Sequence, residues 1–278
     1  MEFKSDCMEP ASMRPSRVLK KLRAGGTAIS TKLNLGDPRV AEIAAMSGFD
    51  CLWNDMEHVP NDLSVIEQQI RAAKACDVDV LVRVSRGGYS DYIRPLEMDA
   101  AGIMVPHIMS LEDARAVVRM TRFHPIGRRP VDGGNADGAY CAIPFEDYLK
   151  QANEQRFVVV QIEDPEPLAE LDEIAALEGI DMLFFGPGDF SQGIGAPGQW
   201  DHPELLEARR RVAEAAQAHG KYAGTVGSPE AMAELVDMGY RFINLGADVL
   251  GLSRYFRDML DAAANKASTR EVSQYGAK

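Results

Sequence analysis

The sequence predicts an α/β protein with a single (β/α)₈ TIM barrel and an extra C-terminal helix. Three observations lead to this prediction: eight short apolar runs, amphipathic stretches between consecutive runs, and glycines after several of these stretches. Many of the runs are rich in β-branched residues, as buried parallel strands usually are. In chain order the runs are TAISTKL, FDCLWND, VDVLVRV, GIMVPH, RFVVVQIE, DMLFFGP, KYAGTV and RFINLGA.

The stretches between the runs carry helix signals. Asp37, Ser110 and Ser228 are suitable N-caps, and glycines at 48, 179, 220 and 239 suit the position after a helix end. The third helix is the weakest, because SDYIRPLEMDA contains Pro95. Repeated βα units require right-handed crossovers, and eight of them favour a closed barrel over an open doubly wound sheet. The open sheet remains an alternative, although no GxGxxG follows the first run.

We expect three segments along the chain. Residues 1–22 form an N-terminal extension with a first helix, 23–264 form the catalytic barrel, and 265–278 form a polar, frayed tail. The glycine-rich segment 124–153 interrupts the βα rhythm between the fourth and fifth runs. A loop of this length is either a site or subunit contact, or plain surface.

Charge and composition exclude several classes of protein. The formal net charge is −12 over 278 residues, and the scattered cations argue against a nucleic-acid partner. No apolar run is long enough to span a membrane, and the N-terminus lacks a signal-peptide layout, so we expect a cytoplasmic protein. The four cysteines include no CxxC pair, which argues against a structural zinc site; they are Cys7, Cys51, Cys76 and Cys141.

Two acids are candidate metal ligands. The reactive side chains of a (β/α)₈ barrel stand at the C-terminal ends of its strands. Glu163 ends the fifth run and Asp189 follows the sixth, so their carboxylates are placed to bind a hard cation such as Mg²⁺ or Mn²⁺. The alternative is that both are solvent-facing loop acids.

Arg83 lies inside an apolar run, where a permanently charged guanidinium needs an anionic partner or a ligand. It either stabilises a developing enolate or forms an internal ion pair. Asp55 and His58 follow the second run and form a candidate acid/base pair, with Glu57 between them. We rank His107 below His58, because no acid lies near it in the sequence.

The glycine-rich stretch GPGDFSQGIGAPG is a candidate anion site. Glycine permits close backbone approach, so the N–H groups of Gly188 and Asp189 are placed to bind a substrate carboxylate. A plain glycine-rich turn explains the same sequence equally well.

Taken together, these segments resemble the HpcH/HpaI family of class II pyruvate aldolases, which includes 4-hydroxy-2-oxoheptanedioate and 2-dehydro-3-deoxyglucarate aldolases. The likeness runs from Arg23 to Ala264, and Asp189 lies 26 positions after Glu163. It rests on GFDCLWNDMEHVPND, VLVRV, GIMVPHIMSLEDA, VVVQIE, DMLFFGPGDFSQGIG and FINLGAD, taken in this order.

The resemblance implies reversible aldol cleavage of a 4-hydroxy-2-oxo acid to pyruvate, or a close 2-oxo acid, and an aldehyde. It implies an enolate held at a Mg²⁺, Mn²⁺ or Co²⁺ ion by Glu163 and Asp189, with Arg83 beside it and Gln161 near the pyruvyl group. It also implies that Asp55 and His58 form the acid/base pair. The implied assembly is a homo-oligomer, a hexamer built as a trimer of dimers with exchanged C-terminal helices.

Three departures from this pattern leave the acceptor half open: Lys32 on the first run, Trp53 on the second and the 124–153 loop. Trp53 is similar to a residue of macrophomate synthase, a related barrel, so oxaloacetate decarboxylation followed by related enolate chemistry is an alternative. Lys32 is the candidate for a Schiff-base aldolase. A non-catalytic barrel that binds oxo acids is the alternative from another class.

Overall fold

Eight parallel strands close into a barrel in the computed structural model, which describes residues 11–266. Each strand pairs with the next, and β8 pairs with β1. The predicted closed barrel is therefore confirmed and the open sheet is wrong. The strands are β1 (Ala28–Leu33), β2 (Cys51–Asp55), β3 (Asp79–Arg83), β4 (Gly102–Val105), β5 (Phe157–Ile162), β6 (Met182–Phe185), β7 (Tyr222–Gly227) and β8 (Tyr240–Ala247).

Eleven α-helices occur in the described part of the chain. They are α1 (Arg17–Arg23), α2 (Pro38–Met46), α3 (Leu63–Ala75), α4 (Tyr89–Glu97), α5 (Leu111–Thr121), α6 (Phe145–Gln155), α7 (Leu171–Ala176), α8 (Pro187–Gly193), α9 (Pro203–Ala218), α10 (Met232–Met238) and α11 (Asp248–Lys266). Cys7 and all of the predicted tail except its first two residues, which end α11, lie outside the described residues.

The predicted helix signals have a structural counterpart. The Ser110 hydroxyl accepts from the Asp113 N–H at 3.2 Å, and the Asp37 carboxylate accepts from the Arg39 N–H at 2.9 Å. The helix with Pro95 forms despite the missing N–H, because it buries an apolar face that includes Tyr92, Ile93 and Leu96. Burial of such side chains contributes about 1.5–3 kcal/mol each, which is enough to offset the proline.

Helix α1 closes the N-terminal end of the barrel. Its Val18, Leu19 and Leu22 pack in the same cluster as interior strand side chains, so the helix belongs to the barrel core. Asp79, at the start of β3, accepts from the Ser16 hydroxyl at 2.6 Å and from the Val18 N–H at 2.9 Å. These buried hydrogen bonds hold the helix at the N-terminal end of the barrel. The opposite, C-terminal end is not covered by this helix.

The 124–153 segment is folded. It contains a 3₁₀ turn at Ala136–Gly138 and the beginning of α6, so reading it as a long loop was wrong from Phe145 onward. Arg129 donates to the buried Asp137 at 2.9 Å, and the Tyr148 hydroxyl donates to the same carboxylate at 2.9 Å. This buried network ties the glycine-rich turns to the helix. Within residues 11–266, no helix is both long and apolar enough to cross a membrane.

Candidate active site

A cavity of about 440 Å³ lies at the C-terminal ends of the strands. This volume is in the usual range of small-molecule sites. Most of the residues predicted to carry chemistry meet here, although they come from five strands and the loops after them. The polar side chains that line the cavity are Lys32, Trp53, His58, Arg83, Gln161, Glu163, Asp189 and Asn244.

Glu163 and Asp189 stand on one wall of the cavity. Glu163 directly follows β5 and is fully buried, whereas Asp189 lies in the first turn of α8 and is half-buried. A Cβ added at Gly186 would lie 2.8 Å from the Glu163 carboxylate, so a side chain there would displace the acid. Glycine at this position therefore lets the chain after β6 pass against Glu163.

The pKa of Glu163 is raised to about 7, chiefly by burial; the charges of Asp189 and Glu57 add to the rise, and His107 opposes it. A carboxylate crowded by other carboxylates gains stability from a cation that neutralises them. The oxygen-rich donor set suits a divalent metal ion. The electrostatics of this wall therefore fit the predicted metal site.

Arg83, at the end of β3, forms the ion pair that its buried position required. Its Nε and Nη2 donate to the Asp55 carboxylate at 3.0 Å and 2.6 Å, and its Nη1 lies 2.9 Å from Glu57. Lys32 Nζ lies 2.7 Å from Asp55 on the other side. Although burial opposes ionisation, these two cations hold the pKa of Asp55 well below its usual range.

His58 stands at the rim of the cavity, with its side chain 57% exposed. The structure corrects the predicted contact with Asp55, since that carboxylate meets the His58 backbone N–H at 3.5 Å. The imidazole Nε2 lies 3.6 Å from Glu57 instead. The Asp55 carboxylate is turned toward Arg83 and Lys32, so spacing along the chain did not reveal its partners.

His107 has the acidic partner that the sequence did not reveal. Its Nδ1 lies 2.8 Å from Asp164, and its backbone N–H donates to Glu163 at 2.9 Å. Although partial burial opposes protonation, the hydrogen bond to Asp164 and the nearby acids raise the pKa of His107. The order of the strands could have indicated this contact. His107 follows β4, Glu163 and Asp164 follow β5, and these two strands are neighbours in the barrel.

Gln161 and Trp53 form the floor. The Gln161 amide donates to Glu163, and its Oε1 is buried without a hydrogen-bond partner among the described residues. The Trp53 ring packs edge-on against Phe184, with centroids 5.4 Å apart. The Arg83 guanidinium lies 5.0 Å from the centroid of the Trp53 ring, and Lys32 Nζ lies 5.5 Å from it. Both distances are within the range of cation–π contacts.

Gly188 and Asp189 belong to the first turn of α8, whose backbone N–H groups face outward from the helix start. The predicted glycine-rich turn is thus the beginning of a short helix, and it lines the same cavity as Glu163. A closed parallel barrel with a polar cavity at the C-terminal ends of its strands has the architecture of the α/β-barrel enzymes.

The chain belongs to the HpcH/HpaI aldolase/citrate lyase family, which matches residues 33–254. A hydroxypyruvate/pyruvate aldolase of Pseudomonas aeruginosa is 35% identical over 245 residues, covering 88% of this chain and 91% of the relative. The protein is therefore a carbon–carbon lyase of the aldolase type, and the predicted family is confirmed.

Solved structures share the barrel. An HpcH/HpaI aldolase/citrate lyase family protein from Burkholderia cenocepacia J2315 superposes with a TM-score of 0.83 at 34% identity, covering 90% of this chain and 99% of that one. Macrophomate synthase superposes with a TM-score of 0.80 at 27% identity, covering 95% and 94%. The second similarity fits the alternative enolate chemistry.

The family depends on divalent metal ions, and the site offers suitable ligands. Glu163 and Asp189 are the predicted pair. A second set of possible ligands overlaps it, because ligand atoms of Glu57, His107 and Glu163 lie within 4.8 Å of one another. Glu163 belongs to both sets. It is therefore the residue on which any assignment of the metal site depends.

Proposed function

We propose that the protein catalyses reversible aldol cleavage of a 4-hydroxy-2-oxo acid to pyruvate, or a close 2-oxo acid, and an aldehyde. The observation that carries this proposal is the crowded acid wall of Glu163 and Asp189, which shares one cavity with the buried cation Arg83. The family and its aldolase relative support it.

In the cleavage direction, the 4-hydroxyl loses its proton and becomes the aldehyde carbonyl as the C3–C4 bond breaks. The bonding electrons pass to C3 and form the enolate of pyruvate, which takes up a proton at C3. Glu163 and Asp189 would hold Mg²⁺, Mn²⁺ or Co²⁺, and the ion supplies Lewis acidity beside the 2-oxo group when bound.

Arg83 has the role of a fixed cation beside the developing enolate oxygen. Asp55 and Glu57 hold its guanidinium through both edges, which keeps it in place before substrate arrives. Asp55 is thus proposed as a positioning residue for Arg83. Gln161 is proposed to lie beside the pyruvyl group, because it lines the same cavity and its amide donates to Glu163.

His58 is the proposed acid/base that moves the proton of the 4-hydroxyl. It lines the cavity, whereas the Nδ1 of His107 is engaged with Asp164. Glu57 is placed to orient the imidazole of His58. His58→Asn should therefore lower cleavage far more than His107→Asn.

Decarboxylation of oxaloacetate to the same enolate is a second candidate, favoured by Trp53 and by the similarity to macrophomate synthase. The Schiff-base alternative lacks support, because the Lys32 Nζ is engaged with the Asp55 carboxylate at 2.7 Å. Incubation of the Mn²⁺-loaded protein with oxaloacetate, or with pyruvate and a panel of aldehydes, separates the two candidates. A 4-hydroxy-2-oxo acid detected by mass spectrometry supports aldol chemistry, and oxo-acid binding without turnover supports the non-catalytic barrel.

We also propose a cytoplasmic homo-oligomer, a trimer of dimers. Helix α11 is exposed from Leu250 to Ala264 and carries several large apolar side chains there. A monomer would leave this surface in water, whereas a neighbouring copy would cover it. The exposed apolar side chains are Leu250, Leu252, Tyr255, Phe256, Met259 and Leu260.

A further inference from the structure

Lys32 is an unusual residue for the inner surface of a barrel strand. It lies on β1, where its side chain is 19% exposed, and it lines the cavity. Its Nζ is 2.7 Å from Asp55 and 5.5 Å from the centroid of Trp53. The apolar stem is thus confined along an aromatic ring, while the charged end is held at the cavity wall.

This wall lies opposite the acid wall. In the closed order of eight strands, β1 is four strands away from β5, which ends at Glu163. Asp189 follows β6 on that same far side. The cavity of about 440 Å³ between the two walls has room for more than a pyruvyl group. A substrate whose 2-oxo acid end binds near Glu163 therefore extends its other end toward β1.

Lys32 keeps hydrogen-bonding capacity beyond its contact with Asp55. Arg83 uses Nε and Nη2 on Asp55, and its Nη1 pairs with Glu57. An ammonium carries three N–H donors, and among the described residues Asp55 is the single acid within ion-pair distance of Lys32. Asp55 and Glu57 together balance Arg83 and Lys32, and the contact with Asp55 leaves N–H donors of the Lys32 ammonium available at this wall.

Apart from the ion-paired Asp55, the neighbouring strand β8 offers Lys32 a neutral polar group. On β8, Asn244 accepts from the Ser30 hydroxyl at 3.1 Å and donates to the Gly246 carbonyl at 3.1 Å. The acids that line the cavity in the described structure are Glu163 and Asp189, both on the far wall. An anionic group at the β1 wall would thus meet a cation, an indole ring and neutral polar groups.

We infer that Lys32 selects an acceptor aldehyde that carries an anionic group, a carboxylate or a phosphate, at the end remote from the new carbon–carbon bond. This inference rests on the proposed aldol reaction and names its substrate class. Lys32 would bind the anion by a charge-assisted hydrogen bond, which is stronger than a neutral one. A lysine that served only to hold Asp55 would affect charged and neutral acceptors alike.

The test compares matched acceptors with pyruvate and Mn²⁺ at saturation. Glyoxylate is paired with glycolaldehyde, and glyceraldehyde 3-phosphate with glyceraldehyde, so that intrinsic reactivity cancels when variants are compared. For Lys32→Met, the ratio of kcat/KM for the charged to the neutral aldehyde should fall about tenfold or more for one pair, as loss of one charge-assisted hydrogen bond predicts. Lys32→Arg should keep most of the ratio. The pair that responds identifies the anion.

An unchanged ratio in both pairs, or an equal loss for charged and neutral acceptors, would overturn the inference. If Lys32→Met fails to fold, the wild-type protein still provides a test, because added salt should lower kcat/KM for the charged aldehyde more than for its neutral partner. Exchange of the pyruvate methyl protons in heavy water distinguishes failure of the proposed role of Lys32 from failure of the proposed function. Exchange with unchanged ratios rejects only the role of Lys32, whereas a wild-type protein without exchange rejects the proposed function.

Discussion

Arg83 and Asp55 end neighbouring strands, and they are joined by two hydrogen bonds of 3.0 Å and 2.6 Å with both side chains almost fully buried. Lys32 adds a second cation to the same carboxylate. A buried charge that loses its partner is costly, because neither water nor another charge replaces the interaction. This cluster therefore couples the stability of the barrel to the geometry of its cavity.

We predict that Asp55→Ala destabilises the fold by about 3–5 kcal/mol, since it leaves Arg83 and Lys32 without their shared carboxylate. The measurement is urea unfolding followed by circular dichroism. Asp37→Ala is the matched control, because Asp37 also pairs with an arginine but lies on the exposed start of α2. Equal stability of the two variants would show that the buried cluster does not hold the cavity wall together.

Affinity for the metal ion should fall as the pH is lowered. The pKa of Glu163 in the metal-free protein is raised to about 7, chiefly by burial, so a proton competes with the cation below that pH. We expect the dissociation constant for Mn²⁺ to increase about tenfold for each pH unit below about 7, within the range where the fold is intact. Titration calorimetry between pH 5.5 and 8.5, about the span set by that pKa, measures this dependence.

The same raised pKa has a consequence for the metal-free fold. Because the folded pKa of Glu163 lies above the unfolded value, its contribution to stability is fully present below the unfolded pKa and is lost as the pH rises toward about 7. Glu163→Gln should remove this dependence as well as most Mn²⁺ affinity. An affinity that is independent of pH would place the metal on groups other than Glu163.

The exposed face of α11 should support assembly. We predict that the double variant Phe256→Asp and Leu260→Asp forms smaller particles than the wild type, because charges oppose burial of the apolar face. Light scattering after size-exclusion chromatography gives the mass directly. Ser253→Asp on the same helix is the control, since it adds charge without removing an apolar side chain. A wild-type protein that is monomeric would reject the proposed oligomer.

Much of the fold was accessible from the sequence, because a barrel strand is a short apolar run and its helix an amphipathic one. Every strand falls on a predicted run within two residues at its ends, and the helix that contains Pro95 forms as predicted. Helix α6 was missed from Phe145, because its polar sequence follows glycine-rich turns and its only buried side chains are Tyr148 and Ala152. Its Tyr148 donates to Asp137 of the buried Arg129–Asp137 pair, a contact that local pattern does not encode.

The site was predictable in position and less so in its pairings. A polar residue at the end of an apolar run lies at the barrel mouth, and this reasoning located Glu163 and Arg83. Which acid a charged side chain contacts depends on the rotamers of both residues and on the side chains that the neighbouring strands present. For this reason Asp55 binds Arg83 and Lys32 rather than the imidazole of His58, and His107 meets Asp164 from a different strand end.

The central claim is that Glu163 and Asp189 hold a divalent ion that, with Arg83, allows the cavity to form the enolate of pyruvate. The most direct measurement is nuclear magnetic resonance of the pyruvate methyl protons in heavy water, with the Mg²⁺-loaded protein, after rigorous chelation, and with the Glu163→Gln variant. We predict exchange with the metal-loaded wild type, loss of exchange on chelation and recovery when Mg²⁺ is restored, with almost none in the variant. Exchange that persists after chelation, or in Glu163→Gln, would contradict this account.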